Sequence, residues 1–121
     1  KKEHVLAEVY LKRALEEKHK FYGEKHSQVA YTCYYLAYNQ ELQQEYPKAI
    51  QWIDQALAST YFAGIDALHQ VGSLPYVQGV LESKGELHLL AYQVSGNTAH
   101  LIKAERAFLQ SIAVIKYMEE S

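Results

Sequence analysis

Residues 29–57 read VAYTCYYLAYNQELQQEYPKAIQWIDQAL. Two helical periods sit in this stretch, one on each side of Pro47. Upstream, Val29, Ala30, Cys33, Leu36 and Ala37 recur at steps of three and four to about Gln43, the spacing of one helix face. Downstream, Ile50, Ile53, Ala56 and Leu57 do the same. Pro47 suits the first turn of the second helix, where its missing N–H costs nothing. A half-buried strand needs apolar residues at every second position, and no stretch of the chain alternates in that way. The class expected is all-α, with more than about two thirds of residues helical against a base rate near one third.

The same period extends outward in both directions. Residues 3–21 place Val5, Ala7, Leu11, Ala14, Leu15 and Phe21 on or near one side of a helix, Gly23 offers a stop, and Ser27 is a candidate cap for the next start. Ser73 and Pro75 open a fourth helix carrying Val80, Leu81, Leu87 and Leu90 to about Val94. Ser95-Gly96-Asn97 reads as a turn. A last helix follows from about Thr98, with Leu101, Ala104, Phe108, Ile112 and Ile115 expected to face inward. Between the third and fourth helices lies Ser59–Gly72. Tyr61, Ile65 and Leu68 continue the helical spacing there, so helix is expected, broken near Gly64, which costs about 1 kcal/mol in a helix interior.

An internal repeat organises these helices. Ala7, Leu11, Ala14 and Leu15 recur 42 residues on as Ala49, Ile53, Ala56 and Leu57, and more weakly as Ala104, Phe108, Ser111 and Ile112, after an offset of 55. Small residues seven apart let a neighbouring helix approach closely, while the large residue between them fills the seam. Stacked antiparallel pairs bury a continuous core that one pair cannot.

Residues 29–57 resemble one tetratricopeptide repeat (TPR), through Leu36, Ala37, Tyr46, Ala49, Ile53, Ala56 and Leu57. The 42-residue spacing exceeds the commoner value of roughly 34. Residues 14–30, ALEEKHKFYGEKHSQVA, resemble the junction of elongated repeats of the kinesin-light-chain type, with Gly23, His26 and Val29-Ala30 at its marks. Residues 85–121 are similar to the final helical pair that precedes the caspase-like (CHAT) protease domain in bacterial TPR–CHAT proteins. The resemblance implies a short right-handed solenoid: 3–22 the second helix of a truncated repeat, 27–60 a complete repeat, 61–74 an insertion and 75–119 a degenerate final pair. It departs from the usual pattern at Cys33 and Gln40, where large aromatics are usual, and at Gln44, which replaces the turn glycine.

Composition narrows the function classes. Of 121 residues, 49% are apolar and 21% charged, which excludes a disordered tail. Twelve basic against fourteen acidic residues leave −2, no electrostatic footprint for nucleic acid or an anionic membrane. No apolar run is long enough to span a bilayer. The single cysteine, Cys33, excludes an internal disulfide. No leader is visible, so the cytoplasm is the expected location. The chain opens on Lys1-Lys2-Glu3 without methionine and is read as a piece of a longer protein.

No set of residues assembles a catalytic site, so no enzyme activity and no cofactor are expected. The six histidines form no metal-binding pattern, and His26 reads as a structural junction residue. Cys33 lies on the buried stripe, where cysteine acts as a small hydrophobe rather than a nucleophile. Lys12, Arg13, Lys18 and Lys20, beside Glu16 and Glu17, read as a solvated face. Trp52 and Gln55 are expected on the outer side.

Tyr31, Tyr34, Tyr35 and Tyr38 stand out at i, i+3, i+4 and i+7, a stripe offset from the buried stripe of Cys33, Leu36, Ala37 and Gln40. In the resembled fold that second face lines a concave groove, extended here by Glu41 and Leu42. Tyrosine suits a groove that holds a peptide, having a rigid apolar ring with a polar tip. A protein or peptide partner is therefore expected on Tyr31, Tyr34, Tyr35, Tyr38, Glu41 and Leu42, foremost on Tyr34 and Tyr38. Tyr35 stands where many such grooves carry an asparagine that clamps peptide backbone, and Asn39 is expected to point elsewhere. The resemblance also implies an alternative role, a regulatory arm for a protease domain lying outside this chain. Self-association through exposed solenoid ends, Val5 and Leu6 among them, is expected as well.

Overall fold

The computed structural model describes residues 2–24, 26–61 and 74–120. Among these residues five helices follow in chain order: α1 (Lys2–Tyr22), α2 (Ser27–Leu42), α3 (Tyr46–Tyr61), α4 (Leu74–Ser95) and α5 (Ala99–Glu120). Among the described residues there is no strand, and the fold is all-α as the periodicity predicts. The helix expected over Ser59–Gly72 continues α3 to Tyr61. The remainder of that expectation, including Gly64, Ile65 and Leu68, lies outside the described residues, as does Ser73.

Each helix packs on the next in order: α1 on α2, α2 on α3, α3 on α4, α4 on α5. One apolar cluster runs through the stack, from Leu15 through Val29, Cys33, Leu36 and Ala37 to Ile53, Ala56 and Leu57, and on to Val77, Val80, Leu81, Leu87 and Ala91. Leu36, Ile53, Leu81 and Leu87 are fully enclosed. Each such side chain stabilises the fold by about 1.5–3 kcal/mol through burial. The repeated small residues lie at helix seams. Ala49 and Ala56 have no exposed surface, and Ala104 and Ser111 are buried on α5. Ala7 and Ala14 are only half-buried, because α1 packs chiefly on α2. A close approach occurs at Gly85 on α4, where an added Cβ would stand 2.5 Å from the ring of Phe108 on α5.

Among the described residues, three turns carry left-handed backbone. Gly23 (φ 83°) and Gly96 (φ 71°) end α1 and α4, where glycine has no Cβ penalty. Gln44 adopts φ 61° after α2, so the residue standing in for the turn glycine takes up the glycine conformation. The amides of Gln43, Gln44 and Glu45 bond back to the Gln40 and Glu41 carbonyls, closing the helix end.

Four expectations are corrected by the packing. The cap of α2 is His26, not Ser27: the His26 ring Nδ1 accepts from the Gln28 amide at 3.1 Å, and Tyr22 stacks on the ring at 4.2 Å. Phe21 is exposed, since α1 offers α2 only a narrow strip centred on Leu15 and the partly buried Leu11. Leu101, Ile112 and Ile115 are exposed as well. α5 rests on α4 through Ala104, Ala107 and Ser111, so its larger apolar residues fall beside the contact rather than in it. Lys18 leaves the solvated face and donates to the Thr32 hydroxyl at 2.9 Å and to Gln28.

That last bond belongs to a polar seam between α1 and α2. Asn39 is 6% exposed, and its Nδ2 donates to the His4 carbonyl at 2.9 Å while its Oδ1 meets His4 Nδ1. Gln40 donates to Glu8. Asn39 thus points to α1, away from the tyrosine stripe. Trp52 is half-buried against the core and Gln55 is exposed. No described helix is long and apolar enough to cross a membrane.

Candidate functional site

The side of α2 carrying the tyrosines faces α4. These two helices stand apart, and side chains bridge the space. The Tyr76 ring meets Tyr31 edge-on at 4.7 Å and Tyr34 at 6.1 Å, and its hydroxyl donates to the Ala30 carbonyl at 2.9 Å. Burial holds the Tyr76 phenol well above the usual tyrosine range, so it stays a donor. Tyr34 is half-buried against the core, and its hydroxyl lies 3.4 Å from Ser83 Oγ. Below this bridge the seam encloses only about 10 Å³, lined by Tyr34, Ala37, Tyr38, Glu41, Ser83 and Leu87 among others.

The stripe therefore divides in two. Tyr31 and Tyr34 engage α4, so truncating Tyr34 would disturb packing as well as surface. Tyr35 and Tyr38 are open, 59% and 53% exposed, and Leu42 at the helix end is 50% exposed. Glu41 lies between them, half-buried. Burial raises its pKa, and the carboxylate of Glu86 on α4 raises it further. All six expected residues thus share one side of α2, with rings at one end of the seam and two carboxylates at the other.

Sequence reasoning missed the opposite wall. Tyr76, Val80, Ser83 and Leu87 recur on α4 at steps of four, three and four, a legible helical face. Val80 and Leu87 read as core residues, and the period alone does not mark Tyr76 and Ser83, on the same face, as a lining. Two histidines also meet where no short motif links them: His88 Nδ1 lies 2.8 Å from His100 Nδ1, with His88 only 2% exposed.

Nucleophilic chemistry finds no support at Cys33. Its thiol is buried, and burial pushes its pKa up to about 11, so it stays protonated at neutral pH. Among the described residues no three His, Cys, Asp or Glu side chains gather to hold a metal ion. No family model, no curated protein and no solved structure matches this chain.

Proposed function

We propose that the chain is a protein-interaction module of the TPR type, which receives a segment of a partner on the tyrosine side of α2. The observation that carries the reading is the pair Tyr35 and Tyr38, both more than half exposed beside exposed Leu42, on a helix whose core is already filled by Cys33, Leu36 and Ala37. Clustered exposed rings of this kind mark interaction sites, and tyrosine dominates binding hot spots. Tyr31 and Tyr34, braced by Tyr76, would hold the surface rigid. The raised pKa of Glu41 beside Glu86 favours a partner that brings a basic side chain to that end.

Selection from a random peptide library, followed by NMR mapping, tests this. The expected result is a peptide whose shifts concentrate on Tyr35, Tyr38, Glu41 and Leu42, and whose affinity falls by about 2 kcal/mol in Tyr38→Ala. Selected peptides that bind Tyr35→Ala/Tyr38→Ala as well as the parent protein would defeat the assignment.

A second surface supports association of the chain with itself. Val5, Leu6, Val9 and Tyr10 are exposed on α1, and Ile102, Leu109 and Ile112 on α5. Such end faces are sticky in stacked helical arrays. Sedimentation velocity across a concentration series distinguishes this from a monomer.

A further inference from the structure

α4 has two working sides. Ser83 and Leu87 face the tyrosine seam, whereas Lys84 and His88, each one residue further on, line an open-sided cavity of about 290 Å³ walled by α3, α4 and α5. Its polar lining is Asp54 from α3, Lys84 and His88 from α4, and Lys103, Arg106 and Gln110 from α5. Three permanent cations therefore converge on a space that holds one acid. Asp54 is already engaged, its Oδ1 accepting from Lys84 Nζ at 2.8 Å. Among the described residues, Lys103 and Arg106, one turn apart on α5, have no carboxylate in ion-pair reach.

The imidazole at the back of the cavity reports this imbalance. His88 is buried, and its pKa is lowered to about 4, by burial first, then by His100, Lys84 and Lys103, with Asp54 opposing weakly. At neutral pH it is an uncharged ring that shares a hydrogen bond with His100. The positive field in the cavity thus comes from lysine and arginine, and among the described lining residues only Asp54 answers it.

We propose that this cavity binds a small molecule through an oxyanion, a phosphate or carboxylate group. Arg106 offers a planar fork that matches either group with two parallel hydrogen bonds, Lys103 and Lys84 supply point charge, and the Gln110 amide adds a neutral donor. The volume approaches the lower end of the roughly 300–1,000 Å³ range of small-molecule pockets, more than the oxyanion alone fills, so the group's carrier has room. Anion entry relieves repulsion among the cations, which gives a net gain that ordinary surface lysines do not supply. The site uses no residue of the tyrosine stripe.

NMR titration of the intact chain tests the proposal, with inorganic phosphate, glycerol phosphate and citrate as probes and chloride at matched ionic strength as control. Saturable shifts at Lys103, Arg106 and His88 are expected, with a Kd on the order of 1 mM or below for at least one probe. The probe that saturates first assigns the group as phosphate or carboxylate. The bound anion should also move the His88 titration upward, a change that a merely structural cluster would not make. Lys103→Gln and Arg106→Gln, both at exposed positions, should each weaken binding by about tenfold, equivalent to about 1.4 kcal/mol. Asp54→Asn should tighten it severalfold by removing the competing carboxylate. Shifts that spread without saturation over all lysines would overturn the proposal, as would unchanged affinity in the glutamine variants or weaker binding in Asp54→Asn.

Discussion

Two glycines on α4 receive the same substitution with opposite expected results. Gly79 and Gly85 both sit inside the helix, where alanine is favoured over glycine by about 1 kcal/mol. At Gly79 a new Cβ meets nothing within 4 Å, so Gly79→Ala should gain close to that amount. At Gly85 the new Cβ would lie 2.5 to 2.7 Å from three carbons of the Phe108 ring. Carbon atoms rest at about 3.5–4.0 Å, so the ring must move by about 1 Å or α4 and α5 must part. Phe108 is half-buried and can swing, which sets the cost in the overpacking range of about 1–3 kcal/mol. Propensity offsets part of this. Gly85→Ala should end neutral to about 2 kcal/mol destabilised, and roughly 1–3 kcal/mol below Gly79→Ala. In urea, that difference separates the two midpoints by roughly 1 M. Shortening the ring in Gly85→Ala/Phe108→Leu should recover part of the loss, a coupling that a double-mutant cycle reads directly. If Gly85→Ala is as stable as Gly79→Ala, the close approach of α4 and α5 is refuted, and with it the reason for a glycine in that turn.

Two other perturbations probe the stack. Ala49→Leu should cost about 1–3 kcal/mol, because Ala49 has no exposed surface and the seam has no room for three more carbons; an unchanged urea midpoint would mean the helices can part freely there. His88 makes stability fall with acid. Its folded pKa of about 4 lies below its ordinary 6.5, so the unfolded chain binds the proton first. Stability is complete above about pH 6.5 and drains away as pH falls toward 4, by up to about 3 kcal/mol before solvent screening through the open cavity trims it. Denaturation midpoints at pH 7 and pH 4.5 measure the loss, which should shrink in His88→Gln.

What the sequence made legible was the part governed by local period. The helices were readable because Leu36, Ile53 and Leu81 fall at helical steps, and Gly23 and Gly96 mark stops by their backbone freedom alone. The orientation of the outer helices was not readable. Leu101, Ile112 and Ile115 share the apolar period of α5, yet where α5 rests on α4 the contact selects the small residues Ala104, Ala107 and Ser111. Residue size, not hydrophobicity, decided that face. Lys18 misled for a related reason: a long stem can carry an ammonium from an exposed-looking position to a hydroxyl on the next helix. The tyrosine stripe was visible as a stripe, but its division into braced and open halves depends on Tyr76, 42 to 45 residues away from the rings it meets.

The polar seam between α1 and α2 sets how the molecule opens. α1 spans 21 residues but fully buries only Leu15, and its other anchors are bonds from His4, Glu8 and Lys18 to Asn39, Gln40 and Thr32. Water can replace such bonds at little net cost, on the order of 1 kcal/mol each, whereas it cannot replace the enclosure of Leu36 or Leu81. α1 is therefore the cooperative unit of lowest free energy, able to detach while α2–α5 keep their core. Amide hydrogens of α1 should exchange through this partial opening, earlier than those of α2 and at a denaturant-insensitive rate, since so little apolar surface is uncovered. The face of α2 laid bare by that opening carries the Thr32 hydroxyl and the Asn39 and Gln40 amides beside the narrow apolar strip that Leu15 and Leu11 cover, so the surface uncovered there is mixed rather than wholly apolar.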